Sequence, residues 1–473
     1  MNRMKDGGSP RFVTCCKALS RRTRALPVFL LWMVLPCSPV WADATATPHA
    51  MDVLHYTARL EPDLAHKTIQ GRVEISLAMT EPGARAIQFD AGELTVDDVR
   101  ERGARLAFRK VDQHVEVALP RPAVVGEKHV LEIEYHGAPR FGLEFHPERG
   151  ELYTVFSNSQ WMVCVDAPED RATLDLSVVL PVGMKATGNG RLVSKLSLEG
   201  QREVYRWRQD VPVPSYVYGF AAGRYLETTE QGAGVDLRYL ATEIPPADLR
   251  RIFADTGDML RFFGRRAGVR YRGTYTQALV ADTVGQEEAN FSLMSEDYGR
   301  ETLGDATSET LIAHELAHQW WGNMVTCRNW SHFWLNEGFA TFTAAAYMQQ
   351  RFGDKEYRKY VDSWRTRWEK LREAGSDHSL VYETWHKPSA DDRAVVYKKG
   401  AYVLHMLREE LGERAFWKGI RAYTRANYGG SVTTEDFKQA MERASKRDLT
   451  AFFDQWIYLA PHREAASTAT GLR

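Results

Sequence analysis

His314 and His318 stand four residues apart in His314-Glu315-Leu316-Ala317-His318, and an acid, Glu337, follows with eighteen residues in between. Positions four apart on an α-helix share a face, so one metal ion can meet both imidazoles. Glu337, within Trp334-Leu335-Asn336-Glu337-Gly338-Phe339-Ala340, supplies a carboxylate. A catalytic zinc ion usually takes three protein ligands and keeps an open position for water, whereas a structural zinc takes four. His314, His318 and Glu337 make three. Glu315 projects to the side of the metal, where it can serve as general base towards the activated water. A five-residue HExxH pattern by itself also arises as a polar stripe on a helix. The third ligand at a fixed interval and the aromatic flanks on both sides select the hydrolytic reading, with one zinc ion per chain.

Two helices must hold these ligands. Ser308-Glu309-Thr310 offers capping groups, Leu311, Ile312, Leu316 and Ala317 an apolar body, and Gly322-Asn323 a stop. Residues 333–350 read as the second helix, with Leu335, Phe339, Phe342 and Tyr347 as core contacts and Gly353 beyond its end.

Upstream, from His55 to about Leu226, apolar residues alternate in short runs: Val73, Ile75, Leu77 and Met79; Val115, Val117 and Leu119; Leu174, Leu176 and Val178. This period of two predicts an all-β domain at residues 43–227. From about Thr228 the pattern turns helical, with a helix over 246–266, a short strand around 275–280, then the zinc helices and others up to Trp456. The second domain, residues 228–464, is therefore α+β and mostly helical, followed by a small polar tail at 465–473.

Residues 1–42 read as a signal peptide: Arg21, Arg22 and Arg24 precede an apolar run, and Val40-Trp41-Ala42 offers a small-residue cleavage site. A secreted or periplasmic location follows as an expectation. Nothing later reaches the roughly 20 apolar residues that a helical membrane span needs. Of five cysteines, only Cys164 and Cys327 fall outside the leader. Two buried thiols are favoured over a bridge between them. With 61 basic and 62 acidic residues, composition gives no electrostatic case for nucleic acid or an anionic membrane as partner. Arg250-Arg251 and Arg265-Arg266 read as solvated helix faces.

The chain resembles the gluzincin zinc aminopeptidases typified by aminopeptidase N. The resemblance rests on His314-Glu315-Leu316-Ala317-His318-Gln319-Trp320-Trp321-Gly322-Asn323 and the Glu337 block. It extends from His55-Tyr56 through Cys164-Val165-Asp166-Ala167-Pro168 to Phe452-Phe453-Asp454-Gln455-Trp456. It implies a saddle-like β-sandwich followed by a thermolysin-like catalytic domain, in a short form without the family's helical C-terminal domain. It also gives Tyr397, in Tyr397-Lys398-Lys399-Gly400-Ala401, the role of oxyanion stabiliser. A phenol aimed at developing negative charge is a preorganised donor whose loss costs about 3–4 kcal/mol of barrier.

The family's G-x-M-E-N segment, whose glutamate grips the substrate α-amine, falls on Gly285-Gln286-Glu287-Glu288-Ala289-Asn290. Counting from the glycine places Glu288 at the amine position, with Glu287 where the family has methionine. Gly285, Gln286, Glu287 and Glu288 are thus the expected substrate-binding residues. The second amine-binding acid has no counterpart in 153–162, where Gln160 or Asn158 could substitute. The implied function is removal of N-terminal residues from peptides. An endopeptidase or a peptidase of altered end-specificity with an open cleft is one alternative. A non-catalytic zinc-containing peptide-binding protein is another.

Overall fold

Apolar side chains at Ile69, Val73, Ile75, Leu77 and Met79 are all buried while their neighbours face outward, so the strand Thr68–Met79 lays one face on a core. The computed structural model describes residues 50–282, 285–383, 385 and 388–459. The expected leader (1–42) and polar tail (465–473) lie outside them.

The strand Thr68–Met79 is central in an eight-stranded sheet with order Arg191–Leu198, Arg202–Pro214, Arg171–Pro181, Met51–Asp63, Thr68–Met79, Lys128–Gly137, Thr95–Glu101, Ala104–Arg105. Pairing is antiparallel except between Met51–Asp63 and Arg171–Pro181. The Val115 and Val117 run enters a separate three-stranded sheet, yet it shares one core with Val73, Leu131 and Leu176. Both sheets bury their alternating faces together, as the period of two requires.

The catalytic half opens with strands, not helices as the sequence reading placed them from Thr228. Leu226–Gly232 and Val235–Ala241 form a hairpin whose turn residues Ala233 and Gly234 have φ of 56° and 78°. Such a turn matches the natural twist of paired strands. Val235, Leu237 and Tyr239 are buried on its inner face. Thr274–Val280 and Phe291–Ser295 continue this sheet in parallel, and Gly285–Gln286 forms its edge.

Helices α1 (Pro246–Ile252), α2 (Thr256–Ala267), α3 (Glu296–Gly304), α4 (Thr310–Ala317), α5 (Trp334–Phe352), α6 (Asp354–Glu373), α7 (Ala390–Ala394), α8 (Gly400–Asn427), α9 (Thr434–Ser445) and α10 (Thr450–Phe453) follow. The single helix read over 246–266 is broken, because Asp255 leaves the helical path to meet Arg351 at 2.6 Å. Leu335, Phe339, Phe342 and Tyr347 of α5 are all buried, and Gly353 caps its end at φ 89°. Arg266 is not a solvated face residue: its guanidinium lies 4.2 Å from the Trp417 ring and 5.2 Å from that of Phe262.

The β core and the catalytic core meet at Trp330, which packs against both. Polar ties cross at the same place. Arg171 donates to Thr326 Oγ1 at 2.6 Å and to the Asn323 carbonyl at 3.0 Å, and the Tyr216 hydroxyl donates to the Gly322 carbonyl at 2.8 Å. The turn that ends the metal-bearing segment is thereby pinned to the β half. Cys164 and Cys327 are buried free thiols. No helix among the described residues is long and apolar enough to cross a membrane.

Candidate active site

α4 ends at Ala317, and His318 is its C-terminal cap, so both histidines lie on the last turn with ring centroids 4.6 Å apart. The expected serine cap is not formed. Ser308 Oγ turns to Glu301 at 3.2 Å, and Glu309 occupies the cap position with its carboxyl buried. Glu337 sits in the first turn of α5, which packs on α4.

Three ligand atoms converge. His314 Nε2 and His318 Nε2 are 3.0 Å apart, and Glu337 Oε2 lies 3.2 Å from the first and 3.4 Å from the second. Zinc bonds of ~2.0–2.1 Å at tetrahedral angles set ligand atoms about 3.3 Å apart, so this triangle has the right size. Glu337 Oε2 is buried with no hydrogen-bond partner among the described residues, as a ligand atom reserved for a cation would be. His318 Nδ1 is 3.0 Å from the Trp321 carbonyl, which fixes the tautomer that turns Nε2 to the metal position. Gly322 allows this: it has φ 136°, and a Cβ there would stand 2.8 Å from His318 Nδ1.

Charge in the cluster also favours a cation. Burial opposes the charged form of His318, but the Glu337 and Glu287 carboxylates outweigh it and lift the ring to about 10. Burial pushes the Glu315 carboxyl well above the usual range, with Glu287 and Glu337 adding to it. Three buried carboxylates beside two imidazoles make a site that a divalent cation fits in charge as well as in size.

Glu315 is held from the side by backbone. A Cβ on Gly285 would come within 2.5 Å of Glu315 Oε1 and 3.0 Å of Leu311 Cδ1. Only glycine lets the edge strand approach the base so closely.

The next residues correct the sequence reading. Glu287, Glu315 and His318 bring ligand atoms within 4.8 Å of one another, so Glu287 faces the cluster. Glu288 points the other way. Its carboxyl is fully buried beside the positions of Gly219 and Thr154, has no hydrogen-bond partner among the described residues, and is pushed up by burial. Counting from the glycine points to Glu288, whereas the structure turns Glu287 towards the cluster, because neighbours in extended chain point to opposite sides. Gln286 is wholly buried. Its Oε1 accepts from Phe156 N at 3.1 Å and its Nε2 donates to Glu287 Oε2 at 3.1 Å. Gln319 and Asn323, from the histidine block, grip the same segment: Gln319 bonds the Glu288 carbonyl at 2.9 Å and Asn290 N at 2.9 Å, and Asn323 bonds the Glu287 carbonyl at 3.0 Å.

Tyr397 lies in a five-residue π-helical turn, Val395–Lys399, of the kind that often marks functional sites. Its ring stacks on that of His314 with centroids 6.0 Å apart, and burial, reinforced by Glu337, raises its hydroxyl well above the ordinary value. Lys399, unassigned from sequence, anchors this turn by donating to Asp377 Oδ1 at 2.7 Å and the His378 carbonyl at 2.6 Å.

A cleft of about 650 Å³ leads to Glu287 and Tyr397 between aromatic walls that include Tyr216, Trp330 and Phe333. The β half contributes Phe156, Ser157 and Asp166 to it. Gln160 and Asn158 do not line it: Gln160 accepts from Glu93 N at 3.3 Å and Asn158 donates to the Tyr218 carbonyl at 3.0 Å. Asp166 is the acid that the sequence reading missed on this side, pushed up to about 6 by burial and then by Asp90. Phe156 and Ser157 reach the cleft through consecutive left-handed conformations, φ 49° and 40°, which no residue type there announced.

Comparison with known proteins agrees with this geometry. Residues 53–217 match the Peptidase M1 N-terminal domain, and residues 290–456 match the Peptidase family M1 domain. Aminopeptidase M1 of Arabidopsis thaliana is 24% identical over 85% of this chain, which spans 49% of that protein. Leukotriene A-4 hydrolase of Xenopus laevis is 24% identical over 83% of this chain and 68% of its own length. The chain thus spans about half the length of the first relative and two thirds of the second. The M1 zinc metallopeptidase of Deinococcus radiodurans superposes with a TM-score of 0.74 at 24% identity, over 88% of this chain and 95% of that one. A mutant of that enzyme bound to a Tyr-Ser-Ala substrate gives 0.75 at 25% identity, over 88% and 96%. With the N-terminal and catalytic domains both present, in that order, around the His314, His318 and Glu337 triangle, the chain belongs to peptidase family M1, the M1 zinc metallopeptidases.

Proposed function

We propose that this chain is a zinc-dependent aminopeptidase that removes N-terminal residues from peptides. The observation that carries the reading is Glu287, a buried carboxylate with an oxygen within 4.8 Å of ligand atoms of both Glu315 and His318, which supports a role as anchor for the α-amine of a substrate. An acid at that spot rewards a free ammonium group and leaves little room for chain upstream of it.

His314, His318 and Glu337 would hold a zinc ion, which when bound would supply Lewis acidity towards the peptide carbonyl and a water activated at neutral pH. Glu315 takes the proton from the attacking water and passes it to the leaving amine. The Tyr397 hydroxyl stays protonated and donates to the oxyanion as it develops. Glu287 fixes the distance from the N-terminus to the reacting carbonyl, with Gln286 holding its Oε2. The edge strand Gly285–Gln286 offers backbone to an extended peptide, the usual mode of capture on a sheet edge. The reading includes export, with cleavage near Ala42, which N-terminal sequencing of the secreted protein checks.

Hydrolysis of one peptide series with free and N-acetylated ends, by wild type and by Glu287→Gln, tests the proposal. Wild type should cleave only free-ended peptides, and the variant should raise KM for them. Equal cleavage of both series by wild type would make the enzyme an endopeptidase and remove the amine role from Glu287.

A further inference from the structure

α2 packs on α8, and beside their contact lies a cavity of about 640 Å³ that shares no lining residue with the catalytic cleft. Arginine dominates its wall. α2 contributes Arg261 and Arg265, and α8 contributes Arg421 and Arg425. Each pair is spaced by four, so both guanidinium groups of a pair fall on one helix face. Arg270, in the connection after α2, brings a fifth, next to Tyr271.

Four of these five charges have no carboxylate partner among the described residues. No acidic residue lines the cavity. Among the described residues only Arg261 has a carboxylate partner, Asp258 of its own helix at 3.3 Å. Arg265 donates to Gln350 Oε1 at 3.2 Å and Arg425 to the Gly268 carbonyl at 2.8 Å, both neutral acceptors. Like charges four apart on a helix repel, and here two such pairs are brought to the same cavity. The chain as a whole has a net charge of -1, so the cluster is not a by-product of a basic composition.

We propose that this cavity binds a small polyphosphate anion, a soluble diphosphate or triphosphate group. The guanidinium fork matches phosphate oxygens two at a time, and four arginines without a carboxylate partner in one cavity suit a ligand carrying several charges within a short span. The volume lies in the ordinary range of small-molecule sites, about 300–1,000 Å³. Its concavity and small floor residues, Gly264 and Gly268, suit a compact headgroup rather than a flat membrane.

The test is calorimetric titration of the zinc-loaded protein with inorganic pyrophosphate and with orthophosphate at fixed ionic strength, in wild type and in Arg270→Ala/Arg421→Ala. Retained peptide hydrolysis shows that the double variant folds, and Arg270→Gln alone replaces it if it does not. The proposal expects one saturable pyrophosphate site, weakened at least about tenfold in the variant, the loss expected from deleting charged hydrogen bonds. Orthophosphate should bind more weakly than pyrophosphate. Absence of saturable binding overturns the proposal, as does binding that survives unchanged in the variant, which would belong to the metal site. Capture by phosphatidylglycerol vesicles without pyrophosphate binding would overturn the soluble ligand in favour of a lipid headgroup.

Discussion

Replacing Gly285 with alanine should cripple turnover while leaving the metal site loaded. The new Cβ would meet Glu315 Oε1 at 2.5 Å, about 0.9 Å short of an ordinary 3.4 Å contact, and Leu311 Cδ1 at 3.0 Å. The edge strand cannot simply back away. It pairs with Met294 and Leu293, and Gln286 is tied to both Phe156 and Glu287. The base must therefore move, by up to the missing distance. A misplacement of about 1 Å in a reacting group costs on the order of 10²-fold in rate, or about 2.7 kcal/mol of barrier. Steady-state kinetics on a free-ended peptide should show kcat reduced by that order, with zinc content at the wild-type level because the atoms nearest the new Cβ belong to Glu315 and Leu311 rather than to a ligand. A kcat within about threefold of wild type would refute the argument, since it would mean that the Glu315 carboxylate tolerates displacement or that the strand yields.

Two further variants probe separate parts of the account. Tyr397→Phe should lower kcat by about 10²–10³-fold with little change in KM, the signature of a donor used only in the transition state; a change confined to KM would assign Tyr397 to ground-state binding. Glu309, under the N-terminus of α4, has its carboxyl pushed up to about 8 by burial and then by Asp255. The folded state thus holds a proton that the unfolded chain releases near pH ~4.3, so this group's contribution is complete at low pH and is lost as pH rises through 8. The loss is on the order of 5 kcal/mol by linkage. Denaturant unfolding of zinc-saturated protein at several pH values from 5.5 to 8.5 should show a weaker fall in stability for Glu309→Gln than for wild type, and parallel curves would exclude the effect.

The metal ligands were legible because their signal is local: a four-residue helical repeat and a second helix with its own apolar stripe place His314, His318 and Glu337 without reference to the rest of the chain. Alternation likewise revealed the β half through Val73, Ile75 and Leu77. What remained hidden depends on long-range packing. Glu287 and Glu288 are chemically equal in sequence, and in extended chain a one-residue difference in register exchanges the side facing the metal with the side buried near Gly219. The left-handed Phe156 and Ser157 carry no glycine to mark the turn, so the β-half edge of the cleft could not be placed. The hairpin at Ala233-Gly234 is absent from the sequence reading although Val235, Leu237 and Tyr239 alternate with Asp236 and Arg238, the pattern of a half-buried strand. The basic cavity joins α2 to α8 across more than 150 residues of sequence, and spacing within either helix alone reads as a solvated face.

The central claim is that His314, His318 and Glu337 form a one-zinc hydrolytic centre in which Glu315 moves the proton. The most direct measurement is titration of metal-free protein with zinc, following both bound metal and hydrolysis of a free-ended peptide, in wild type and in Glu315→Gln. The account predicts activity that rises to a plateau at one zinc per chain, and a Glu315→Gln protein that binds the same single zinc with turnover lowered by at least about 10². Hydrolysis persisting without metal, or wild-type turnover by Glu315→Gln, would contradict it.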